Sequence, residues 1–243
     1  MGNNEIRINK YISMAGYCSR RAADELIAQG KVYVDGMVAE TGTKVKAGQI
    51  VIVDGQVVEP VEERRVFAFY KPVGYISSLS DEQGQGISSF IPEGLRLYPV
   101  GRLDKDSEGL MLLTNDGELM NGILKASEGH EKEYIVQVNR NVTQEFLSNM
   151  EKGVSITNGA TGQKVKTAPC KTCILDKRSF KIILIQGLNR QIRRMCGSFE
   201  YKVLNLKRIR IMNINIGKLE PGEIVEITGQ ELLDLKKLVS KGE

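Results

Sequence analysis

The stretch "GRLDKDSEGLMLLTND", residues 101–116, changes character halfway along. Its first half mixes charged residues with turn formers, and from Gly109 it becomes an almost unbroken apolar run that predicts a buried strand. Asp104 is therefore expected in a loop or strand end at the edge of the core. A carboxylate there can act as nucleophile or base if a cation keeps it charged against the cost of desolvation. The alternative is a turn or cap residue, the commoner role of an aspartate in a Gly-flanked loop.

A second stretch, "GLNRQIRRMCGSF" at residues 187–199, can supply that cation. Its apolar residues recur at helical spacing and predict a core-facing stripe, with Asn189 as the N-cap. The opposite side carries Arg190, Arg193 and Arg194. Arginines in a first helical turn oppose the helix dipole, and local rules are broken most often at functional sites. The alternative is a helix whose arginines only face solvent.

The region around these stretches predicts the fold of the larger part of the chain. Further strands are expected at residues 66–72, 74–79, 132–138, 179–187, 206–216 and 222–228. Helices are expected at residues 116–125, 143–152, 190–199 and 229–239. Because strands outnumber helices without a regular βαβ alternation, we expect an α+β domain with a mixed, mainly antiparallel sheet. The stretch "FKIILI" (180–185) is apolar on both faces and predicts a central strand.

The N-terminal part has a different pattern, in which two helices are followed by short strands. Ser19 is a plausible N-cap of the second helix, and Gly30 ends it. The stretch "VEPVEERRV" (58–66) then breaks the apolar pattern with a proline and several charges. We therefore expect a small domain at residues 1–60, a linker at 61–65 and a second domain at 66–243.

Composition excludes several classes of protein. The chain has 243 residues and a formal net charge of +4, with neither a membrane-length apolar run nor an apolar signal region, so we expect a cytoplasmic protein. Four scattered cysteines are consistent with a reducing compartment. Cys170 and Cys173 form a CxxC pair, but the sequence has no second pair and no histidine near it to complete a metal site. No GxxxxGK[ST] or GxGxxG motif occurs. We expect neither a metal nor a cofactor.

Charge distribution points to a polyanionic partner. Residues 186–212 contain seven basic residues and one acid, Glu200. A local excess of this kind suggests contacts with phosphates, and its alternative is a solvated basic face. We expect Arg190, Arg194 and Lys207 to contact such a partner.

The N-terminal part resembles the S4 RNA-binding domain. The resemblance lies in the pattern R-x-x-K-x-x-x-x-x-G-x-x-S-R-R-x-A-x-x-L-I-x-x-G-x-V-x-V-x-G and covers about 55 residues. It implies an S4 domain of the α-L type that binds shaped RNA through phosphate and sugar contacts. The residues that would make these contacts are Arg7, Lys10, Ser19, Arg20, Arg21 and Lys31.

The motifs "GRLDKDSEGLMLLTNDG", "KEY" and "QGLNRQIRRMC" together resemble the RsuA-type rRNA pseudouridine synthases, and most of all their large-subunit synthase F branch. The resemblance runs nearly end to end, with Ser107 where many relatives have threonine. It implies a catalytic domain of pseudouridine synthase type, which detaches uracil from ribose C1′, rotates it and rejoins it through C5 without metal or cofactor. The enzyme would first have to flip the target base out of its helix.

The resemblance also implies roles for individual residues. Asp104 would be the catalytic aspartate, which either attacks C1′ or begins by removing a ribose proton. Arg193 would keep Asp104 ionised and oriented, and Tyr134 would stack on the base. Ile192 would pack beside the base, and Arg102 would contact RNA where the nucleotide has flipped out. Two of these residues have a plainer alternative: an ion pair for Arg102 and core packing in an alternating strand for Tyr134.

The expected substrate is 23S rRNA, with tRNA left open, and nothing in the sequence requires more than a monomer. Two other functions stay open. Asp106 and Glu108 could mark a glycosidase, whose two carboxylates flank a glycosidic bond, although we expect them to shape the loop or face solvent. A non-catalytic RNA-binding ribosome assembly factor would fit the S4 module and the arginine helix equally well, but it could dispense with Asp104.

Overall fold

The computed structural model of the chain describes residues 5–60, 63–125, 129–159 and 161–240. The chain divides into two compact units, Met1–Arg64 and Arg65–Glu243. Residues 61 and 62 of the predicted linker 61–65 lie outside the described residues. The predicted domain boundaries therefore stay a prediction.

The N-terminal unit combines two helices with short strands. Its elements are β1 (Ile6–Arg7), α1 (Ile8–Met14), α2 (Arg20–Ala28), β2 (Val32–Val34), β3 (Met37–Val38), β4 (Lys44–Val45), β5 (Val51–Val53) and β6 (Gln56–Val58). The Ser19 side chain accepts a hydrogen bond from the Ala22 amide, which confirms it as the N-cap of α2. Four strands form an antiparallel sheet in the order β3-β2-β5-β6, and Ile12, Ala23 and Val51 pack in one core.

The C-terminal unit is built around one large sheet. Its strands are β7 (Val66–Lys71), β8 (Tyr98–Val100), β9 (Glu108–Thr114), β10 (Lys132–Val138), β11 (Ser155–Thr157), β12 (Lys164–Lys166), β13 (Lys171–Asp176), β14 (Ser179–Leu184), β15 (Val203–Ile211), β16 (Ile214–Asn215) and β17 (Ile224–Glu226). Its helices are α3 (Gly117–Leu124), α4 (Gln144–Glu151), α5 (Gln191–Gly197) and α6 (Gly229–Ser240), with a 3-10 turn at Ser88–Phe90.

The sheet is mixed and mainly antiparallel, which confirms the predicted α+β class. Its strand order is β13-β14-β10-β15-β9-β7-β17, with β16 beside β15 and β8 beside β9. Only the β15–β9 pair is parallel among these pairings. The prediction that "FKIILI" is a central strand is wrong, because β14 lies next to the edge strand β13. Phe180, Ile182 and Leu184 are buried on one face of the strand. On the other face Ile183 is only partly buried, and Ile185 is exposed.

The position of β9 between two cores explains why its sequence is apolar throughout. Met111 and Leu113 pack in one core with residues of α4 and α5, while Leu110 and Leu112 pack in a second core with residues of α3 and α6. The sheet is thus the middle layer of three. Gly109 allows the parallel neighbour to come close, since a Cβ there would meet the Arg208 carbonyl oxygen at 2.3 Å. The apolar run therefore places the preceding Asp104 loop at the end of a deeply buried strand.

Two local predictions are wrong. Residues 74–79 form a loop instead of a strand, because the Ser77 side chain and the Ile76 amide bond to other loops. Asn189 does not cap α5: Arg190 occupies the N-cap position with a left-handed φ of 51°. The Asn189 side chain instead accepts a hydrogen bond from Arg194. Asp116 caps α3 through the amides of residues 118 and 119.

Candidate active site

Asp104 lies in the loop between β8 and β9, and buried side chains of the C-terminal unit hold that loop. The Nζ of Lys71, which is fully buried, donates to the Pro72 and Ser107 carbonyl oxygens, at 2.8 Å each. The Ser77 hydroxyl donates to the Leu103 carbonyl oxygen at 2.7 Å and accepts from the Leu103 amide at 2.9 Å. The residues on either side of Asp104 are therefore fixed by hydrogen bonds.

The Lys71 ammonium carries an electrostatic cost that the loop partly offsets. Burial lowers the pKa of Lys71 to about 8, while the nearby carboxylates of Asp104 and Asp106 favour its charged form. The lysine and the loop carboxylates are thus electrostatically coupled.

The helix α5 holds the loop from the opposite side, through its arginines. Arg190 makes two hydrogen bonds to the Asp106 carboxylate, at 3.0 and 2.9 Å, and its Nη1 lies 3.5 Å from Asp104 Oδ2. The hydrogen bond from Arg190 is the main cause that lowers the pKa of Asp106. Asp106 is therefore a loop-shaping carboxylate, because it ties the loop to the start of α5.

Arg193 has a different set of partners from the one that the sequence suggests. Its Nη2 donates to the Asp106 carbonyl oxygen at 2.7 Å and to the Ser107 Oγ at 3.2 Å, and its Nη1 donates to the Val203 carbonyl oxygen at 3.2 Å. The arginine that ion-pairs with Asp104 is Arg190. The guanidinium of Arg193 thus contacts the loop backbone that follows the aspartate and lies 3.4 Å from the Asp106 carboxylate. Its expected direct support of Asp104 stays a prediction.

Beside this loop lies a cavity of about 230 Å³. Its lining brings together five of the residues singled out from the sequence: Arg102, Asp104, Tyr134, Arg190 and Ile192. The Asp104 side chain is 28% exposed, so the carboxylate is accessible while held in place. Tyr134 and Ile192 are buried and pack in one core. The cavity therefore offers a carboxylate, an aromatic ring and an apolar side chain to one bound group.

Lys132 and Arg208 line the same cavity and were not singled out from the sequence. The register of the sheet pairs Tyr134 of β10 with Arg208 of β15. Lys132 lies two residues before Tyr134, and alternation along a strand places both on one face. That alternation was the sequence signal that could have found Lys132 in "KEY".

Two predicted RNA-binding residues have partners outside the cavity. Arg194 donates to the Thr157 carbonyl oxygen and to the Asn189 side chain, so it holds the end of β11 against the loop before α5. Lys207 lies over the Tyr70 ring at 4.8 Å. The structure does not bring either residue to the Asp104 cavity, and their predicted contacts with RNA stay untested.

The basic residues singled out in the N-terminal unit lie in or next to its two helices. Arg7 precedes α1, Arg20 and Arg21 begin α2, and all three are exposed. Lys10 lies within α1, and Lys31 follows α2 with its Nζ 3.5 Å from Asp54. Their arrangement suits contacts with a large anionic surface.

Comparisons with known proteins match both units of the chain. The family sequence model described as RNA pseudouridylate synthase matches residues 65–198, and the S4 domain matches residues 6–51. The chain is 45% identical to the dual-specificity RNA pseudouridine synthase RluF of Escherichia coli (strain K12), over 98% of this chain and 80% of that protein. It is 37% identical to the ribosomal large subunit pseudouridine synthase B of Bacillus subtilis (strain 168), over 97% of this chain and 98% of that protein.

A solved structure is similar over nearly the whole chain. It is described as the crystal structure of pseudouridylate synthase, with a TM-score of 0.69 and 27% identity, and the match covers 96% of this chain and 99% of that one.

Among the described residues, no helix is long and apolar enough to cross a membrane.

Proposed function

The chain belongs to the RsuA-type family of RNA pseudouridine synthases, which isomerise uridine in RNA, and from this premise we propose that Asp104 carries the reaction. The observation that supports this role most is the loop geometry. Asp104 is the carboxylate that lines the cavity, and its loop is fixed by Lys71, Ser77 and the arginines of α5. A side chain so held is preorganised to react at one position of a bound nucleotide.

The residues around Asp104 have separate roles in binding the nucleotide and in holding the loop. Tyr134 stacks on the flipped uracil, and Ile192 packs beside it, since both line the cavity with Asp104. Arg102, which is exposed at the cavity, contacts the RNA around the flipped nucleotide. Arg190 ion-pairs with the Asp104 carboxylate at 3.5 Å and orients it, and Arg193 positions the loop through its backbone.

The substrate that we propose is 23S rRNA. The relative from Bacillus subtilis is named for the large ribosomal subunit, and the one from Escherichia coli for a dual specificity toward RNA. A tRNA is the second substrate to test. Arg7, Lys10, Ser19, Arg20, Arg21 and Lys31 of the N-terminal unit contact the RNA backbone, together with Arg194 and Lys207. We further propose that the enzyme acts as a cytoplasmic monomer.

The experiment that tests this proposal follows the hydrogen at C5 of uracil, which must leave when C5 is joined to C1′. Wild type and Asp104→Asn are incubated without added metal with protein-free 23S rRNA, or with tRNA, that carries tritium at uridine C5. We expect wild type to release tritium and the variant to bind the RNA without release. Release by Asp104→Asn at the wild-type rate would overturn the role of Asp104. Release from tRNA alone would overturn the choice of 23S rRNA.

A further inference from the structure

Two basic side chains that line the cavity have no acidic partner in the part of the chain that the structure describes. Arg208 is 3% exposed, its Nε donates to the Leu110 carbonyl oxygen at 2.6 Å, and its Nη2 has no hydrogen-bond partner among the described residues. The Nζ of Lys132 makes one long hydrogen bond, of 3.3 Å, to the His130 carbonyl oxygen. No ion pair forms at either side chain within the described part of the chain.

Such an arrangement is costly for the protein alone. A cation taken out of water without a counter-ion loses hydration that one carbonyl oxygen replaces only in part, and a buried donor without an acceptor is destabilising as well. Arg208 is buried and Lys132 is partly buried. Burial and the charge of Arg208 both lower the pKa of Lys132, so the two cations are close enough to repel each other. Other basic side chains of the same sheet are paired: Arg210 ion-pairs with Glu131 and Glu133, and Lys181 with Glu133. Lys132 and Arg208 differ from these paired neighbours of the same sheet, since they face the cavity without an ion-paired carboxylate in the described ranges.

The reaction itself creates an anion in this place. When the bond between C1′ and N1 breaks, its electron pair stays with uracil, whose charge spreads over N1, O2 and O4. The sugar is balanced either by a bond from the Asp104 carboxylate to C1′ or by transfer of its 2′ proton to Asp104. On rejoining, uracil supplies an electron pair from C5 to C1′, while the bond between C1′ and the Asp104 carboxylate breaks or Asp104 returns the 2′ proton to the sugar. The C5 proton then leaves and N1 takes up a proton.

We propose that Lys132 and Arg208 form a binding site for the oxygens of the detached uracil and stabilise its negative charge. This inference rests on the proposed reaction at Asp104. The carboxylate faces the sugar from the loop side of the cavity, and the two cations face the base from the sheet side, next to the stacking ring of Tyr134. Charge that is fixed in advance where charge develops is worth far more in a desolvated site than in water.

The test compares Lys132→Met, Lys132→Gln and Lys132→Arg, with Lys152→Met as the matched control at an exposed lysine. Tritium release is measured in a single turnover at saturating RNA, and RNA affinity is measured separately. We expect Met and Gln to slow the rate constant by about 10²-fold with affinity within about twofold of wild type, because the contact forms only after the bond breaks. Arginine keeps the charge and should restore most of the rate.

Several outcomes would overturn the inference. Wild-type rates for the Met and Gln variants would show that the charge is not used, and a loss confined to affinity would indicate a phosphate contact instead. An Arg variant as slow as the Met variant would show that packing, not charge, matters. Asp104→Asn is assayed in parallel: if it is inactive while Lys132→Met is fully active, only this inference fails, whereas an active Asp104→Asn removes the proposed function as well.

Discussion

The two units of the chain carry similar basic residues but hold them differently. In the N-terminal unit Arg20 and Arg21 are exposed at the start of α2, and the one side-chain hydrogen bond shown for the pair is 3.5 Å long, from Arg20 to Asn9. In the C-terminal unit Arg190 and Arg193 hold the Asp104 loop through short hydrogen bonds. The comparison shows that the arginines of a helix in an RNA-modifying enzyme can hold the protein's own loop in place, and that they need not be there only to bind RNA.

The largest expected effect concerns Arg193. Its replacement by Met removes the hydrogen bonds to the loop after Asp104 and to Val203, so the carboxylate loses its fixed position. We expect the single-turnover rate constant to fall about 10²-fold, because small misplacements of a reacting group are costly. RNA affinity should change by less than about twofold. A variant with a normal rate constant and weakened RNA affinity would show that Arg193 acts on the RNA, as we propose for Arg20 and Arg21. It would contradict the difference between the two units.

The second prediction concerns the N-terminal unit. The double variant Arg20→Met, Arg21→Met should bind RNA more weakly and keep the wild-type rate constant at saturating RNA. Each lost phosphate contact should reduce the slope of log affinity against log salt by about 0.7 to 0.9. Binding titrations over a range of salt concentrations measure this slope. An unchanged slope would exclude these two residues from the RNA interface.

The third prediction tests the buried charge beneath the loop. The pKa of Lys71 is lowered to about 8 in the folded state, from its usual value of 10.5. Between these values the unfolded chain binds more protons than the folded one, so this group's contribution to stability rises with pH. From pH 7 to pH 10, wild type should gain about 2 kcal/mol of unfolding free energy relative to Lys71→Met. Urea unfolding at the two pH values gives this difference, and a constant difference would contradict the prediction.

The smallest effects concern the helix caps of the two units. Ser19→Ala removes the cap of α2, and Asp116→Ala removes the cap of α3. Each should cost about 1 kcal/mol. Because the units have separate cores, each variant should lower the thermal transition of its own unit. Calorimetry follows both transitions, and equal shifts of both by either variant would show that the units unfold together.

Local patterns in the sequence predicted most of the fold. The strand 132–138 and helix α3 follow from alternation and capping, which depend on near neighbours in the chain. The strand predicted at residues 74–79 was wrong because the Ser77 hydroxyl bonds to Leu103, which is too distant in the chain for a local pattern to reveal. The same reason limits what the sequence predicts of the site. The candidate residues could be identified, but the pairing of Arg190 with Asp106 joins positions that are 84 residues apart in the chain.

The central claim is that α5 holds the Asp104 loop, and a double-mutant cycle on Arg190 and Asp106 tests it most directly. The single-turnover rate constant is measured for wild type, Arg190→Met, Asp106→Asn and the double variant. If the two side chains act through their mutual bond, the double variant should be no slower than the slower single variant. Independent losses that multiply, with the loss at Arg190 also appearing in RNA affinity, would contradict the account.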